Sequence, residues 1–280
     1  MLSCTPSGSR VLGADVVGLR ILPHANIKRT ADRRRMREMA YKRPPITEAV
    51  IELRFAQQFE QRDVEKAARR LRDEYAYEDP ENAVKVQFNA DTRQTQVETS
   101  WLGVKLSSAD RADIAIFRTG SLVISRLAPY TGWEAFQPRA ARAWEEWRKA
   151  AGRTELQRIG VRYVNRIDVD TKDKPLIRVE DYINVWPRSP EELGEPMSGY
   201  AMQILRPLGA DDCSLVMTSA IVPSPLVEFT SFVLDLDVYR DINIPKRDDE
   251  LLALLDKMRH HKNRVFESCI TDRARAIFNQ

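Results

Sequence analysis

The alternation of apolar and polar residues divides the first half of the folded sequence into strands and two helices. Ile46–Phe55 alternates in the way typical of a strand with one wet face. Apolar residues recur at helical spacing over Arg62–Tyr77 and again over Trp133–Ala150. A glycine at Gly120 predicts a tight hairpin turn, where glycine supplies a positive φ. Between the helices the pattern predicts three or four strands, over Val84–Asn89, Gln96–Leu106, Asp113–Thr119 and Ser121–Leu127.

The second half repeats this order of elements. Leu156–Val169 predicts a long strand, Val179–Trp186 a short helical segment and Asp248–Cys269 a long helix, with Thr271 capping a further turn. The strands predicted between them are Tyr200–Leu205, Cys213–Val222 and Phe229–Tyr239. We therefore expect an α+β fold with mostly antiparallel sheet or sheets and helices packed on one face. It would be one unit over 41–280, made of two pseudo-repeated β-α-β(3-4)-α halves, about 41–152 and 153–280.

Positive charge is concentrated in the N-terminal segment. Residues 1–38 contain eight basic and three acidic side chains, which leaves 36 basic against 38 acidic side chains in the remainder. We interpret 1–38 as a disordered or mis-annotated leader, with Met36 or Met39 as candidate starts. The other reading is a basic arm that contacts phosphates. The charge of the folded part does not indicate a nucleic-acid partner.

Composition predicts a cytoplasmic protein. No stretch approaches the roughly 20 apolar residues that span a bilayer. The cysteines Cys4, Cys213 and Cys269 are widely spaced and make neither a CxxC pattern nor a disulfide framework, which favours a reducing compartment.

The sequence contains no pattern of a common catalytic site. His24 and the neighbours His260 and His261 are its only histidines, and helix neighbours point about 100° apart, so this pair cannot chelate one ion together. Glycine-rich phosphate loops are missing as well. We predict no catalytic residues and no cofactor, which favours a role other than catalysis.

Two pairs of aspartates keep one kind of chemistry open. Asp168 and Asp170 end one predicted strand, and Asp235 and Asp237 lie within another. Residues two apart share a strand face, so four carboxylates could hold Mg²⁺ if the strands were neighbours. They could equally be solvent-facing aspartates paired with arginines.

The strand Arg158–Ile167 has an unusual face. Its alternation places Arg158, Arg162 and Arg166 on one side and Asn165 among apolar residues on the other. A row of arginines could bind an acidic partner or a phosphate backbone, and a buried Asn165 would need hydrogen-bond partners. The same arginines could instead pair with carboxylates on adjacent strands.

Several motifs together resemble a sporadically distributed, uncharacterised family of bacterial proteins of about 250 residues. These are the Arg43–Ile51 opening, Gly132-Trp133-Glu134, the Arg158–Asp168 strand, and a helix with His260-His261 followed by Ile270-Thr271-Asp272. The resemblance spans about 41–278 and excludes the leader. It implies a bacterial cytoplasmic setting and no known activity. Patchy distribution suits an accessory role in defence or toxin neutralisation.

Two functions remain after these exclusions. The first is a non-catalytic binding protein whose partner is another protein and whose binding residues are Arg158, Arg162, Asn165 and Arg166. The alternative is a metal-dependent phosphoryl-transfer enzyme or nuclease that uses the paired aspartates. A homo-oligomer is left open.

Overall fold

The β-strands of the chain join into one antiparallel sheet. The computed structural model describes residues 41–89, 93–172, 176–194, 197–209 and 211–280. The predicted leader, residues 1–38, lies outside the described residues. Within the described residues the sheet has nine strands, all paired antiparallel, in the order β2-β3-β4-β5-β1-β6-β9-β8-β7. Their bounds are β1 Ile46–Phe55, β2 Tyr77–Asn89, β3 Gln94–Ser107, β4 Asp113–Arg118, β5 Ser121–Leu127, β6 Leu156–Asp170, β7 Ala201–Pro207, β8 Ser214–Val222 and β9 Phe229–Arg240.

The helices pack on one side of this sheet. They are α1 Gln61–Arg69, α2 Trp133–Ala151, α3 Asp248–Cys269 and α4 Asp272–Phe278, and Thr271 caps α4 by accepting a hydrogen bond from the backbone N–H of Ala274. Their buried residues share one core with the inward-facing strand residues. The α+β fold with helices on a single face is therefore confirmed.

Aromatic residues of α2 fill the centre of the core and join α2 to α3. Trp147 is fully buried and stacks on Phe55, with ring centroids 4.5 Å apart. The indole N–H of Trp133 donates to Asp256 at 2.6 Å, and that of Trp144 donates to Asp248 at 2.9 Å. These bonds satisfy the polar ends of two large side chains that are otherwise apolar.

A buried carboxylate fastens α1 to α2. The side chain of Glu146 is only 4% exposed and accepts hydrogen bonds from Arg70, Arg142 and Lys149 at 2.5, 2.6 and 2.8 Å. The bonds from Lys149 and Arg70 lower the pKa of Glu146 to about 2, against the opposing effect of burial. The buried charge is thus compensated by three cations that reach it from the surface, as a buried charge requires.

Three elements differ from those predicted. The helix expected over Arg62–Tyr77 ends at Arg69, and Val179–Trp186 forms only a single helical turn, Val179–Asp181. Strand β2 begins at Tyr77, seven residues before the expected start at Val84, because β3 pairs with it along this whole length. Its first part is polar and contains a proline, a composition typical of loops rather than strands.

The predicted turn at Gly120 is present, but the positive φ expected of its glycine is not used. Its φ lies outside the positive region, so conformational freedom does not select glycine here. A Cβ at this position would lie 2.5 Å from Nε2 of Gln58. Because that atom is the end of a flexible side chain, a larger residue would displace Gln58 rather than the backbone of the turn.

The internal duplication stays a prediction. Strands β1 and β6, the first of each proposed half, lie side by side at the centre of the sheet. The remaining strands of the first half extend outward from β1 and those of the second half from β6. The second half has one strand fewer among the described residues, and no α-helix in the place corresponding to α1.

Candidate protein-binding face

The side of the sheet opposite the helices is the open face, and it carries the alternate residues of the central strands. On β6 it presents Arg158, Arg162 and Arg166, and these side chains are partly exposed. The inward residues between them belong to the core. The alternation therefore predicted correctly which face the arginines occupy, and the strands on either side of β6 decide what each arginine contacts.

Arg158 lies between carboxylates on both neighbouring strands. Its guanidinium donates to Glu52 on β1 at 2.8 Å and to Asp237 on β9 at 2.6 Å. It also lies over the ring of Tyr239, 4.6 Å from the centroid. Gly160 leaves room for this arrangement, because a Cβ there would lie 2.7 Å from the Arg158 guanidinium. Arg158 thus ties three central strands together.

Arg162 forms a two-pronged pair with Asp235 on β9. Its Nε and Nη2 donate to the two carboxylate oxygens at 2.8 and 2.6 Å, the geometry that suits guanidinium and carboxylate best. The Arg162 side chain remains 49% exposed, whereas that of Asp235 is 18% exposed. Arg162 is therefore the member of this pair that a partner can reach most easily.

The third arginine completes the row at the far end of β6. Arg166 donates to Asp168 at 3.0 Å, and the same carboxylate accepts a hydrogen bond from the buried hydroxyl of Ser231 at 2.6 Å. All three arginines are thus paired with carboxylates, which was the structural alternative weighed for them. Pairing leaves the open face close to neutral.

The pKa of Asp237 is shifted more by burial than by the neighbouring Arg158. Desolvation raises the pKa of Asp237 above its ordinary value, although the charge and hydrogen bond of Arg158 act in the opposite direction. The carboxylate at the centre of the face is therefore the one most dependent on keeping its arginine.

Asn165 does not belong to the arginine face. It is buried on the helix side of the sheet, and its amide nitrogen donates to the carbonyl oxygens of Tyr163 and Leu234 at 3.2 and 2.9 Å. The assignment of Asn165 as a binding residue was wrong, because the alternation of β6 directs it into the core. Its amide satisfies backbone acceptors between β6 and β9 instead.

The two aspartate pairs lie on neighbouring strands but do not converge. Asp168 pairs with Ser231, four residues before Asp235, and Asp170 pairs with Phe229. Strand rise then separates Asp168 from Asp235 by about 13 Å and from Asp237 by about 20 Å. Among the described residues there is no group of three or more histidines, cysteines and carboxylates that could hold a metal ion. The proposed metal site lacks the geometry that it requires.

The described residues His260, His261 and Cys213 have surroundings that point to structural roles, whereas His24 and Cys4 lie outside the described residues. Nε2 of His261 lies 2.9 Å from a carboxylate oxygen of Asp211, in the turn between β7 and β8, and Nδ1 of His260 lies 2.7 Å from the Asp256 carbonyl oxygen. The Cys213 thiol follows Asp211 closely in sequence, but burial raises its pKa to about 11. A thiol with such a pKa is protonated near neutral pH, which argues against a reactive nucleophile.

Some members of the open face were not identified from the sequence. Glu52, Ser231 and Tyr239 complete the contacts of the arginines and aspartates. Their own strands alternate clearly, and this signal places Glu52 and Tyr239 on a wet face. Their contact with Arg158 depends on which strands are neighbours, which alternation does not reveal.

Comparisons with known proteins add no relative. A scan against protein-family models finds no match to the chain, and a search of curated proteins also finds none. The resemblance carried by the motifs therefore stays a prediction. Among the described residues, no helix combines the length and apolar character needed to cross a membrane.

Proposed function

We propose that this protein is a non-catalytic binding protein that holds another protein on its open face. The observation that carries the proposal is the row of partly exposed, paired arginines and carboxylates on β1, β6 and β9. The half-buried Val50 and Val164 lie beside this row. Arginine beside apolar and aromatic groups is the composition favoured in protein interfaces.

The charge balance of the face favours a protein partner over nucleic acid. Each arginine of the row already has a carboxylate partner within 3.0 Å. A phosphate backbone would meet these carboxylates as well as the arginines, and nucleic-acid binding depends on unbalanced positive charge. A protein partner can instead match both signs, which supports specificity more than raw affinity.

The setting of this function is part of the same proposal. A bacterial cytoplasmic protein with an accessory role in defence or toxin neutralisation is what the motif resemblance suggests, and it rests on those motifs alone. Metal-dependent phosphoryl transfer is the weaker alternative, since the register separates one aspartate pair from the other by about 13 Å or more.

Site-specific photocrosslinking in the native cells tests the proposal. A photoreactive residue replaces Val50, which lies opposite Arg162 on the open face. The control position is Glu145, which is 56% exposed on the helix side. We expect one reproducible protein adduct from position 50 and not from position 145. No adduct, or the same adducts from both positions, would refute an open-face partner.

A charge variant then asks whether the row itself is used. Arg162→Ala removes the most exposed arginine, and its pair with Asp235 contributes little to stability because it is half exposed. The adduct from position 50 should fall at least tenfold while the fold is retained. Arg72→Ala is the matched control, since Arg72 is 54% exposed and also forms a two-pronged pair, with Glu78, but lies outside β1, β6 and β9.

A further inference from the structure

The outer edge of β2 has unused backbone hydrogen-bonding groups. β2 is the first strand in the sheet order, so one of its sides pairs with β3 and the other with no described strand. It runs for 13 residues, which makes it far longer than the opposite edge strand β7, with seven. Long edge strands are templates for pairing with another chain.

The distal part of β2 and β3 projects from the sheet as a two-stranded ribbon. β3 pairs with β4 only over Gly103–Ser107, whereas it pairs with β2 as far as the Asn89–Gln94 end. Two strands without further support are marginally stable in water. An additional strand along β2 would give the ribbon the support that β4 gives to the rest of β3.

One face of the ribbon is apolar and exposed. Val86 lies directly opposite Val97, and Val84 lies two residues away on the same face. Their exposed fractions are 62%, 64% and 62%, although valine is a residue that proteins usually bury. This face lies on the helix side of the sheet, because Val97 shares it with Trp101, which packs against the core.

The charges of β2 are complementary to those of a second β2. When two copies run antiparallel and are centred on Ala83, Lys85 of each copy lies opposite Glu81 of the other, where it would join the ion pair that Glu81 already forms with Arg118 of its own chain. Tyr77 then lies opposite Asn89, so all 13 residues of β2 overlap. Opposite charges in directly facing positions stabilise a strand pair. Pro80 removes at most one donor from each strand.

The same register also matches the faces of the two ribbons. In this register even-numbered residues pair with even-numbered residues, and side chains of a pair lie on the same face. Val84 therefore lies opposite Asn82, and Val86 lies opposite Pro80, on the apolar side. The apolar faces of the two copies therefore adjoin on one side of a continuous sheet. We propose that the protein forms a two-fold dimer by antiparallel pairing of β2 with β2 of a second copy, centred on Ala83.

A disulfide at the two-fold centre tests the register. Ala83→Cys, in a Cys4→Ser background of the full chain, places two thiols opposite each other, whereas the remaining cysteines are buried. Oxidation should yield a linked dimer on non-reducing gels. Gln87→Cys is the matched control, because the two positions 87 would lie about 26 Å apart. Equal linking at both positions, or linking at position 83 only after another protein is added, would overturn the proposal.

Light scattering tests the dimer itself. The wild-type chain should have twice the mass of 32.2 kDa. Lys85→Glu places like charges opposite Glu81 at both ends of the pairing and should weaken dimerisation at least tenfold, whereas Lys85→Arg should leave it unchanged. Circular dichroism checks that both variants fold. A wild-type monomer at about 100 µM, or a dimer insensitive to Lys85→Glu, would contradict self-pairing.

Discussion

Replacing Arg158 with alanine removes the cation that Glu52 and Asp237 share at the centre of the open face. The three side chains are 14%, 20% and 21% exposed. Breaking a fully buried ion pair costs roughly 3–5 kcal/mol, and an exposed pair contributes about 0–1 kcal/mol. With one fifth of the carboxylate side chains exposed, we expect Arg158→Ala to lower the free energy of unfolding by about 2 kcal/mol. That corresponds to a melting temperature lower by about 4–8 °C.

The loss should depend on pH, because the variant leaves two carboxylates without their arginine. Burial already raises the pKa of Asp237 above 3.8 in the folded protein. Stability from such a group is fully present below its ordinary pKa and is lost as the pH rises through the folded value. Removing Arg158 raises this pKa further, so the penalty at pH 7 should exceed the penalty at pH 4. Urea unfolding at the two pH values measures the difference.

Equal losses at pH 7 and pH 4 would refute the electrostatic reasoning. They would assign the effect to lost packing of the Arg158 side chain on the ring of Tyr239. Arg54→Ala is the control, since Arg54 contacts the same Glu52 at 2.9 Å but is 50% exposed. Its expected cost is below about 0.5 kcal/mol at both pH values.

Three further predictions concern stability. Glu146→Gln should cost about 2 kcal/mol at pH 7 by urea unfolding, and the difference from wild type should shrink as the pH falls from 4.5 towards 2, where the folded carboxylate takes its proton. Burial raises the pKa of Tyr75 and Tyr130 to about 12, so stability should fall as the pH rises from 10 to 12, and Tyr130→Phe should reduce that fall. Gly103→Ala should lower the stability by about 1–3 kcal/mol in thermal melts, because the new Cβ would overlap the carbonyl oxygen of Phe117. Gly152→Ala is the control: no atom lies near its Cβ, so it should cost less despite the positive φ of Gly152.

The faces of the strands were more predictable than their neighbours. Period-two alternation in β6 requires one buried and one wet side, so it correctly placed Arg158 and Arg166 opposite the core. Asp237, the carboxylate on β9 that accepts a hydrogen bond from Arg158, lies 79 residues away in the sequence. A contact over such a separation leaves no local pattern in the sequence. Asn165 shows the reverse error, because a polar residue type suggested binding although its position in the alternation indicated burial.

The start of β2 was missed for a related reason. Glu78, Asp79 and Pro80 are poor strand formers, and local composition therefore indicated a loop. Pairing with β3 outweighs these preferences, as tertiary contacts commonly do in strands.

The proposed dimer and the proposed binding face would act together without sharing residues. Pairing at β2 leaves β1, β6 and β9 untouched, since three strands separate β2 from β1. Because even-numbered residues of β2 pair with even-numbered residues of the second β2, the open faces of both copies lie on the same side of the joined sheet. At a strand spacing of about 4.8 Å, the two β1 strands would lie about 43 Å apart. A partner with two copies of its own binding site could then engage both faces, and its second contact would be intramolecular. Loss of the dimer through Lys85→Glu should therefore weaken binding to a two-site partner while leaving the affinity of each open face unchanged.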